Sequence, residues 1–277
     1  MKLSEAFERV VIINLPFKQD RRQRLEKHLE DCQIADPKAV RWERAICGDW
    51  TPPPAWWGAG HGAWGCLMTH LRIGQDAIHD ALASYCVLED DVVFHPRAPE
   101  MLGAFMQEVP QDWGQVYLGG QFLHREPERV SPWVLRPYNV NRTHAFALSK
   151  ATIPRYLQHI MHAPDYFNVQ MDDKGTTALN HNGFHIDHQL GRAHQRGDWP
   201  TYAPAWWLAG QEAGDSNISA TTTRGFGGIG GSGGTACLFS ICRRTQPISN
   251  AHFSAATFIR AITRWKTPWS MSAWTKN

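Results

Sequence analysis

The stretch Tyr85-Cys86-Val87-Leu88-Glu89-Asp90-Asp91-Val92-Val93-Phe94 decides the fold. Its first four residues are an apolar run with no polar alternation, the pattern of a strand buried on both faces of a sheet. Three acids follow at once. Carboxylates at the end of a buried strand are costly unless they are paired or bound to a cation, so something cationic belongs there. In open α/β sheets, ligands bind beyond the carboxyl ends of the strands, and the triplet occupies that position. Read as locally extended, the segment turns Glu89 and Asp91 to one side and Asp90 to the other. The first two would then face one hard cation such as Mg2+ or Mn2+, which takes oxygen ligands and bridges protein carboxylates to substrate phosphates, while Asp90 would meet a ribose hydroxyl. The plainer alternative is an acidic strand end that caps neighbouring helices or pairs with arginine.

Outward from this point, strands and helices alternate, which predicts an open α/β sheet. Val10-Val11-Ile12-Ile13-Asn14-Leu15, closed by Pro16, reads as the first strand. Asp20 is placed to cap a helix running to about Glu30, with Leu25 and Leu29 on one face and Arg21, Arg22, Arg24 and Lys27 over the rest. Those arginines suit either a phosphate neighbourhood or a solvated helix face. Residues 48–60, rich in Pro, Gly and Trp, read as a loop, and Gly65 to about Ala83 as a helix. Gln115-Val116-Tyr117-Leu118 is a further strand ending in Gly119-Gly120. Ala145-Phe146-Ala147-Leu148-Ser149 leads into a helix from about Lys150 to Met161.

With 277 residues, 43% hydrophobic and 19% charged, the chain is sized for one large α/β domain, with no apolar stretch near the roughly 20 residues that span a bilayer. Met1 to Arg9 carry Glu5 and Glu8, unlike a secretory signal, so a cytoplasmic protein is expected. The six cysteines form no CxxC pair and have no histidines at zinc-finger spacing, which argues for free thiols. Gly225 to Gly234 read as a flexible segment, giving a catalytic domain over 1–222, a linker over 223–236 and an extension over 237–277. Residues 216–277 hold seven Lys or Arg and no acid, leaving 21 cations against 26 carboxylates in the remainder. This basic, Trp-containing tail suits contact with phosphate on a polynucleotide, peripheral contact with the inner membrane face, or simple solvation.

The order of the motifs narrows the reading. Ile13-Asn14-Leu15 with Asp20-Arg21-Arg22, then Arg41-Trp42-Glu43-Arg44-Ala45, Gly65-Cys66-Leu67-Met68-Thr69-His70, Leu88-Glu89-Asp90-Asp91 and Tyr117-Leu118-Gly119-Gly120 follow one another collinearly. Weaker pieces are Thr143-His144-Ala145-Phe146-Ala147-Leu148-Ser149, Ile186-Asp187 and Ser216-Asn217-Ile218. This series resembles glycosyltransferase family 25, which includes lipopolysaccharide sugar transferases and the collagen galactosyltransferases. The resemblance implies a GT-A type open mixed sheet flanked by helices, a UDP-sugar donor and Mn2+ or Mg2+ on Glu89 and Asp91. By the same carry-over, Asn14, Arg21, Ala45, His70, Asp90, Gly119 and Gly120 would bind the donor. Asp187 would be the catalytic base of an inverting transfer, with Asp172 and Asp173 as rivals and His185 and His188 beside it. Two departures, Ala63-Trp64 before Gly65 and Thr69 in place of a frequent serine, leave the sugar and acceptor contacts open.

The expected acceptor is a glycan or lipid-linked saccharide, as in lipopolysaccharide biosynthesis. Two alternatives stand beside it: a phage-type DNA glycosyltransferase acting on 5-hydroxymethyl pyrimidine bases, and a catalytically silent sugar-nucleotide-binding module. Tryptophans 56, 57, 64, 199, 206 and 207 offer flat faces for a sugar ring or a base, or else pack internally. The loops 48–60 and 165–198 are expected to shape the acceptor site and close over the donor.

Overall fold

The computed structural model describes residues 1–55, 57–161, 170–171, 177–178 and 185–212. In chain order the elements are α1 (Leu3–Ala6), β1 (Arg9–Asn14), α2 (Gln19–Cys32), β2 (Arg41–Arg44), α3 (Gly60–His79), β3 (Ser84–Glu89), β4 (Val92–Phe94), α4 (Ala98–Glu108), β5 (Gln115–Tyr117), β6 (Gln121–Phe122), β7 (Glu128–Arg129), β8 (Val134–Arg136), β9 (Val140–Asn141), β10 (Ala145–Ser149), α5 (Ile153–Met161), β11 (Gln170–Met171), β12 (Thr177–Ala178), α6 (Ile186–Arg196), β13 (Thr201–Pro204) and β14 (Ala209–Gln211). Eight strands form one mixed sheet in the order β2-β1-β3-β10-β5-β13-β8-β7. The open mixed α/β sheet flanked by helices that the resemblance implies is therefore present.

Topology places the site. β1 runs parallel to β2 and β3, β10 is inserted antiparallel between β3 and β5, and β13 is parallel to β5. The carboxyl ends of β1, β2, β3, β5 and β13 consequently share one edge of the sheet. Alternation along the strands divides the core in two. Val10, Ile12, Cys86, Leu88, Val116, Leu118, Ala145 and Ala147 are buried with Leu25 and Leu29 of α2 and Leu102 and Phe105 of α4. On the other face Phe146 meets His70 of α3, Tyr156 of α5 and Tyr117, whose ring in turn meets His194 of α6.

Several boundaries differ from the sequence reading, each for a local reason. Asp20 does not cap α2: Lys18 holds the N-cap position, and Asp20 lies in the first turn, paired with Arg24 at 3.1 Å. α3 opens at Gly60, where φ is +83° and the Trp57 indole N–H donates to the Gly60 carbonyl, five residues earlier than the apolar spacing predicts. It stops at His79, because Ala81 turns into the left-handed region. α5 starts at Ile153, three residues later than expected. The Glu89–Asp91 segment is not extended: β3 ends at Glu89 and a turn at Asp90-Asp91 redirects the chain into β4, which pairs with β14. The region 165–198 is not a loop throughout, since α6 occupies Ile186–Arg196 and ends on Gly197 at φ +69°.

Cys32 and Cys86 are buried, Cys47 and Cys66 partly so, and all four are free thiols. Among the described residues no helix is long and apolar enough to cross a membrane. The linker and basic extension, together with Trp56, Asp172, Asp173, Ser216-Asn217-Ile218, Cys237 and Cys242, lie outside the described residues.

Candidate active site

Strand register brings the first pieces together. β1 and β3 pair Ile13 with Glu89, so the next residues, Asn14 and Asp90, emerge side by side. Asn14 Nδ2 donates to Asp90 Oδ2 at 2.8 Å, and Arg21 Nη1, from the first turn of α2, donates to Asp90 Oδ1 at 3.0 Å. Both side chains of the ion pair are largely withdrawn from water, at 14% exposure for Arg21 and 10% for Asp90. The arginine pairing foreseen as the plainer alternative is thus what Asp90 does, and the basic helix divides accordingly. Arg21 turns inward, Arg22 stacks over Trp42 and pairs with Glu26, and Lys27 pairs with Asp31 on the surface.

The remaining two acids are held differently. Thr143 Oγ1 donates to Glu89 Oε1 at 2.6 Å, and the Glu89 N–H donates to the His144 carbonyl. Asp91 takes Gln211 Nε2 at 3.2 and 3.3 Å and lies 3.8 Å from Arg21. Burial holds both carboxyls above their ordinary range, and neighbouring negative charge adds to it, that of Asp91 for Glu89 and that of Asp90 for Asp91. Such crowding favours a divalent cation, and two carboxylates suit Mg2+ or Mn2+, which complete their shell with water and phosphate. Among the described residues no three His, Cys, Asp or Glu side chains form a ready-made cage. The donor set therefore fits an ion shared with a phosphorylated ligand.

Asp187 joins the same face of the sheet. It lies in the first turn of α6, where its Oδ1 accepts the His188 N–H at 2.8 Å, as suits an anion at a helix N-terminus. Its charge is felt at Glu89, at the Tyr117 hydroxyl and at the Cys66 thiol, which burial and then Glu89 and Asp187 push well above its usual value. Cys66 thus feels both Glu89 and Asp187. The rings of His185 and His188, which flank Asp187 in sequence, lie 6.4 Å apart. Burial and then His188 hold His185 below its ordinary value, against the pull of Asp187.

The other donor candidates have packing roles of their own. The Ala45 N–H donates to the Asn14 carbonyl at 2.9 Å, carrying the β1–β2 ladder one step past the strands. α3 clamps the chain just beyond. Thr69 Oγ1 accepts the Ile46 N–H, Arg72 donates to the Arg44 carbonyl and pairs with buried Glu43, and a Cβ at Gly65 would stand 2.2 Å from the Ile46 carbonyl oxygen. A Cβ at Gly119 would lie 2.3 Å from His144 Nε2, and one at Gly120 2.6 Å from Val140 Cγ1, so close packing accounts for both glycines. His70 is fully buried and stacked on Phe146 at 5.7 Å, with neither ring nitrogen bonded among the described residues. Trp57, Trp64 and Trp199 are core residues, whereas Trp206 is exposed and Trp207 partly so.

Residues 59–167, from α3 through the acidic turn and Gly119-Gly120 to α5, match the profile of glycosyltransferase family 25, described as a lipopolysaccharide biosynthesis protein family. Over that segment the chain is similar to glycosyltransferase family 25. The chain is 26% identical over 146 residues to procollagen galactosyltransferase 2 of Mus musculus, a match covering 47% of the chain and 23% of that protein. It is 29% identical over 143 residues to procollagen galactosyltransferase 1 of Danio rerio, covering 46% and 24%. A Bos taurus relative, 28% identical over 140 residues and matched over 45% and 24%, is named a probable inactive glycosyltransferase 25 family member 3. These matches span about a quarter of the length of the curated relatives. A solved glycosyltransferase involved in glycosylation of the major capsid of PBCV-1 superposes with a TM-score of 0.34 at 12% identity, covering 56% of this chain and 66% of that one.

Sequence reasoning did not single out Thr143, Gln211 or Cys66 as site residues. Thr143 and Cys66 lie inside quoted motifs, whereas nothing local marks Gln211. Asn14, Arg21 and Asp187 lie outside the matched segment and reach the site only through the sheet and α6.

Proposed function

We propose that this chain is a family 25 glycosyltransferase that transfers a hexose from a UDP-sugar to an acceptor hydroxyl of a glycan or lipid-linked saccharide. One observation carries the reading: Glu89 and Asp91, both held above their ordinary range by burial and then by the charge of an acidic neighbour, flank an Asp90 that is already paired with Arg21 and hydrogen-bonded by Asn14. That division leaves two carboxylates of three for an Mn2+ or Mg2+ ion. When bound, such an ion offsets the charge that develops on a departing diphosphate. The chain's own residues set the geometry. Thr143 and Gln211 orient the two carboxylates, and the Arg21–Asp90 pair fixes the turn that carries them.

Asp187 is the base that this arrangement favours. One of its oxygens is engaged with the helix N-terminus, and the carboxylate lies on the same face as Glu89. In that role it takes the proton from the attacking acceptor hydroxyl, with inversion at the anomeric carbon as the stereochemical outcome expected of a single displacement.

Calorimetric titration with UDP, with and without Mn2+, tests the donor site beside Asp91→Asn. Metal-dependent binding that is lost in the variant is the expected result, and a wild-type chain that binds no UDP in either condition refutes the proposal. A second reading is a silent binding module, favoured by the relative named as probably inactive. It predicts UDP-sugar binding without turnover for any acceptor.

A further inference from the structure

Exposed aromatic rings in a folded domain mark contact surfaces when they cluster. Among the described residues the exposed large aromatics are Phe17, Trp50 and Trp206, at 51%, 63% and 53%. All three stand in connections that leave the carboxyl ends of parallel strands: Phe17 after β1, Trp50 after β2 and Trp206 after β13. Among the described residues the opposite edge of the sheet carries none. The aromatic surface and the acidic turn therefore share one edge.

The Trp206 side is physically tied to that turn. The Leu208 and Ala209 N–H groups donate to the Leu118 carbonyl, seating the β13–β14 connection against Gly119-Gly120. β14 then pairs with β4, Gln211 reaches the Asp91 carboxylate, and the Glu212 N–H donates to the Asp91 carbonyl at 2.7 Å. The rings are braced. Trp206 meets Trp133 edge-on at 5.2 Å, and Trp207 leans on Phe122 at 4.6 Å. A rigid aromatic face gives up little conformational freedom on binding.

We propose that Trp206 and Trp207, backed by Trp133 and Phe122, form a platform for a neutral oligosaccharide, which supplies the acceptor hydroxyl in the transfer proposed above. This inference rests on that reading for the direction in which the saccharide points. A pyranose presents an apolar face to a flat ring and hydroxyls at its rim, so stacking on Trp206 leaves the rim to hydrogen-bond with carboxylates. Where β14 reaches the turn the charge is anionic: Glu212 lies against Asp91, Arg21 is paired with Asp90, and Arg24 is shared by Asp20 at 3.1 Å and Glu212 at 3.7 Å. A polynucleotide or an anionic bilayer would meet like charge there, whereas an uncharged hydroxylated chain would not.

The full chain is applied to a microarray of neutral and acidic glycans, beside duplex DNA and phosphatidylserine vesicles, together with Trp206→Ala, Trp207→Ala and Trp206→Tyr. Thermal unfolding checks that each variant is folded. We expect wild type to bind a neutral glycan, Trp206→Ala to bind it at least tenfold more weakly, and Trp206→Tyr to recover most of the loss. The platform is overturned if wild type binds no neutral glycan, if Trp206→Ala binds as wild type does, or if charged partners are preferred. UDP titration of wild type separates the two ideas: glycan binding without UDP binding keeps the platform and sinks the transfer.

Discussion

The Arg21–Asp90 pair should behave as a structural unit, and a double-mutant cycle can show it. Arg21→Met keeps the apolar stem and removes the guanidinium, leaving Asp90, at 10% exposure, with only the neutral Asn14 amide and with Glu89 and Asp91 close by. Breaking a buried ion pair by deleting one partner costs about 3–5 kcal/mol. The slight solvent access of both groups and the surviving Asn14 bond put this case near the lower limit, roughly 3 kcal/mol, or about two orders of magnitude in the folding equilibrium. Asp90→Asn loses the same attraction but also relieves repulsion among the three acids, so it should cost less. The double variant should therefore fall short of the sum of the singles by about 1–3 kcal/mol. Urea unfolding at pH 7 in EDTA, with slopes compared so that only midpoints shift, measures all four corners. An Arg21→Met cost below about 1 kcal/mol, or additivity within about 0.5 kcal/mol, would refute the assignment of Arg21 as the clamp on the acidic turn.

Gly65→Ala should destabilise by about 1–3 kcal/mol through overpacking, because its Cβ would meet two backbone atoms, the Ile46 oxygen at 2.2 Å and the Gly48 nitrogen at 2.9 Å; an unchanged melting temperature counts against the clamp of α3 on the β2 exit. Acid should unfold the domain. Burial lowers His70 to about 4 and His194 to about 3, from 6.5, so the unfolded chain takes up protons that the folded one refuses. The contribution of these histidines is then complete above pH 6.5 and falls as pH drops toward 4, by on the order of 3 kcal/mol for His70 alone, and His70→Phe should flatten the dependence of the urea midpoint on pH in that window. Thr143→Val removes the hydroxyl that orients Glu89 at 2.6 Å and should weaken Mn2+ binding about 10- to 100-fold, as losing an outer-shell partner does; calorimetric affinity equal to wild type argues against Glu89 as a ligand.

Much of this protein was determined by the sequence alone. The apolar runs at Val10–Ile13 and Tyr85–Leu88 had to be buried strands, because four adjacent apolar residues leave no face for water, and the acids after Leu88 had to sit at a strand end. Leu25 and Leu29 marked the buried face of α2 in the same way. Where the chain turns was less legible, since Gly60, Ala81 and the Asp90-Asp91 turn depend on contacts with residues distant in sequence. The role of each acid was decided only by tertiary structure. Local spacing assigned Glu89 and Asp91 to one side, but what separates Asp90 from them is the register of β1 beside β3 and the inward turn of Arg21. The tryptophans divided likewise: composition alone cannot distinguish Trp199, whose indole N–H is bonded to Gln115 in the core, from Trp206, exposed on the sheet edge. Apolar periodicity is a local property that a sequence displays. Which polar group meets which, and which ring is left to the solvent, follows from strand order and helix packing, which bring together residues as far apart as Asp91 and Gln211.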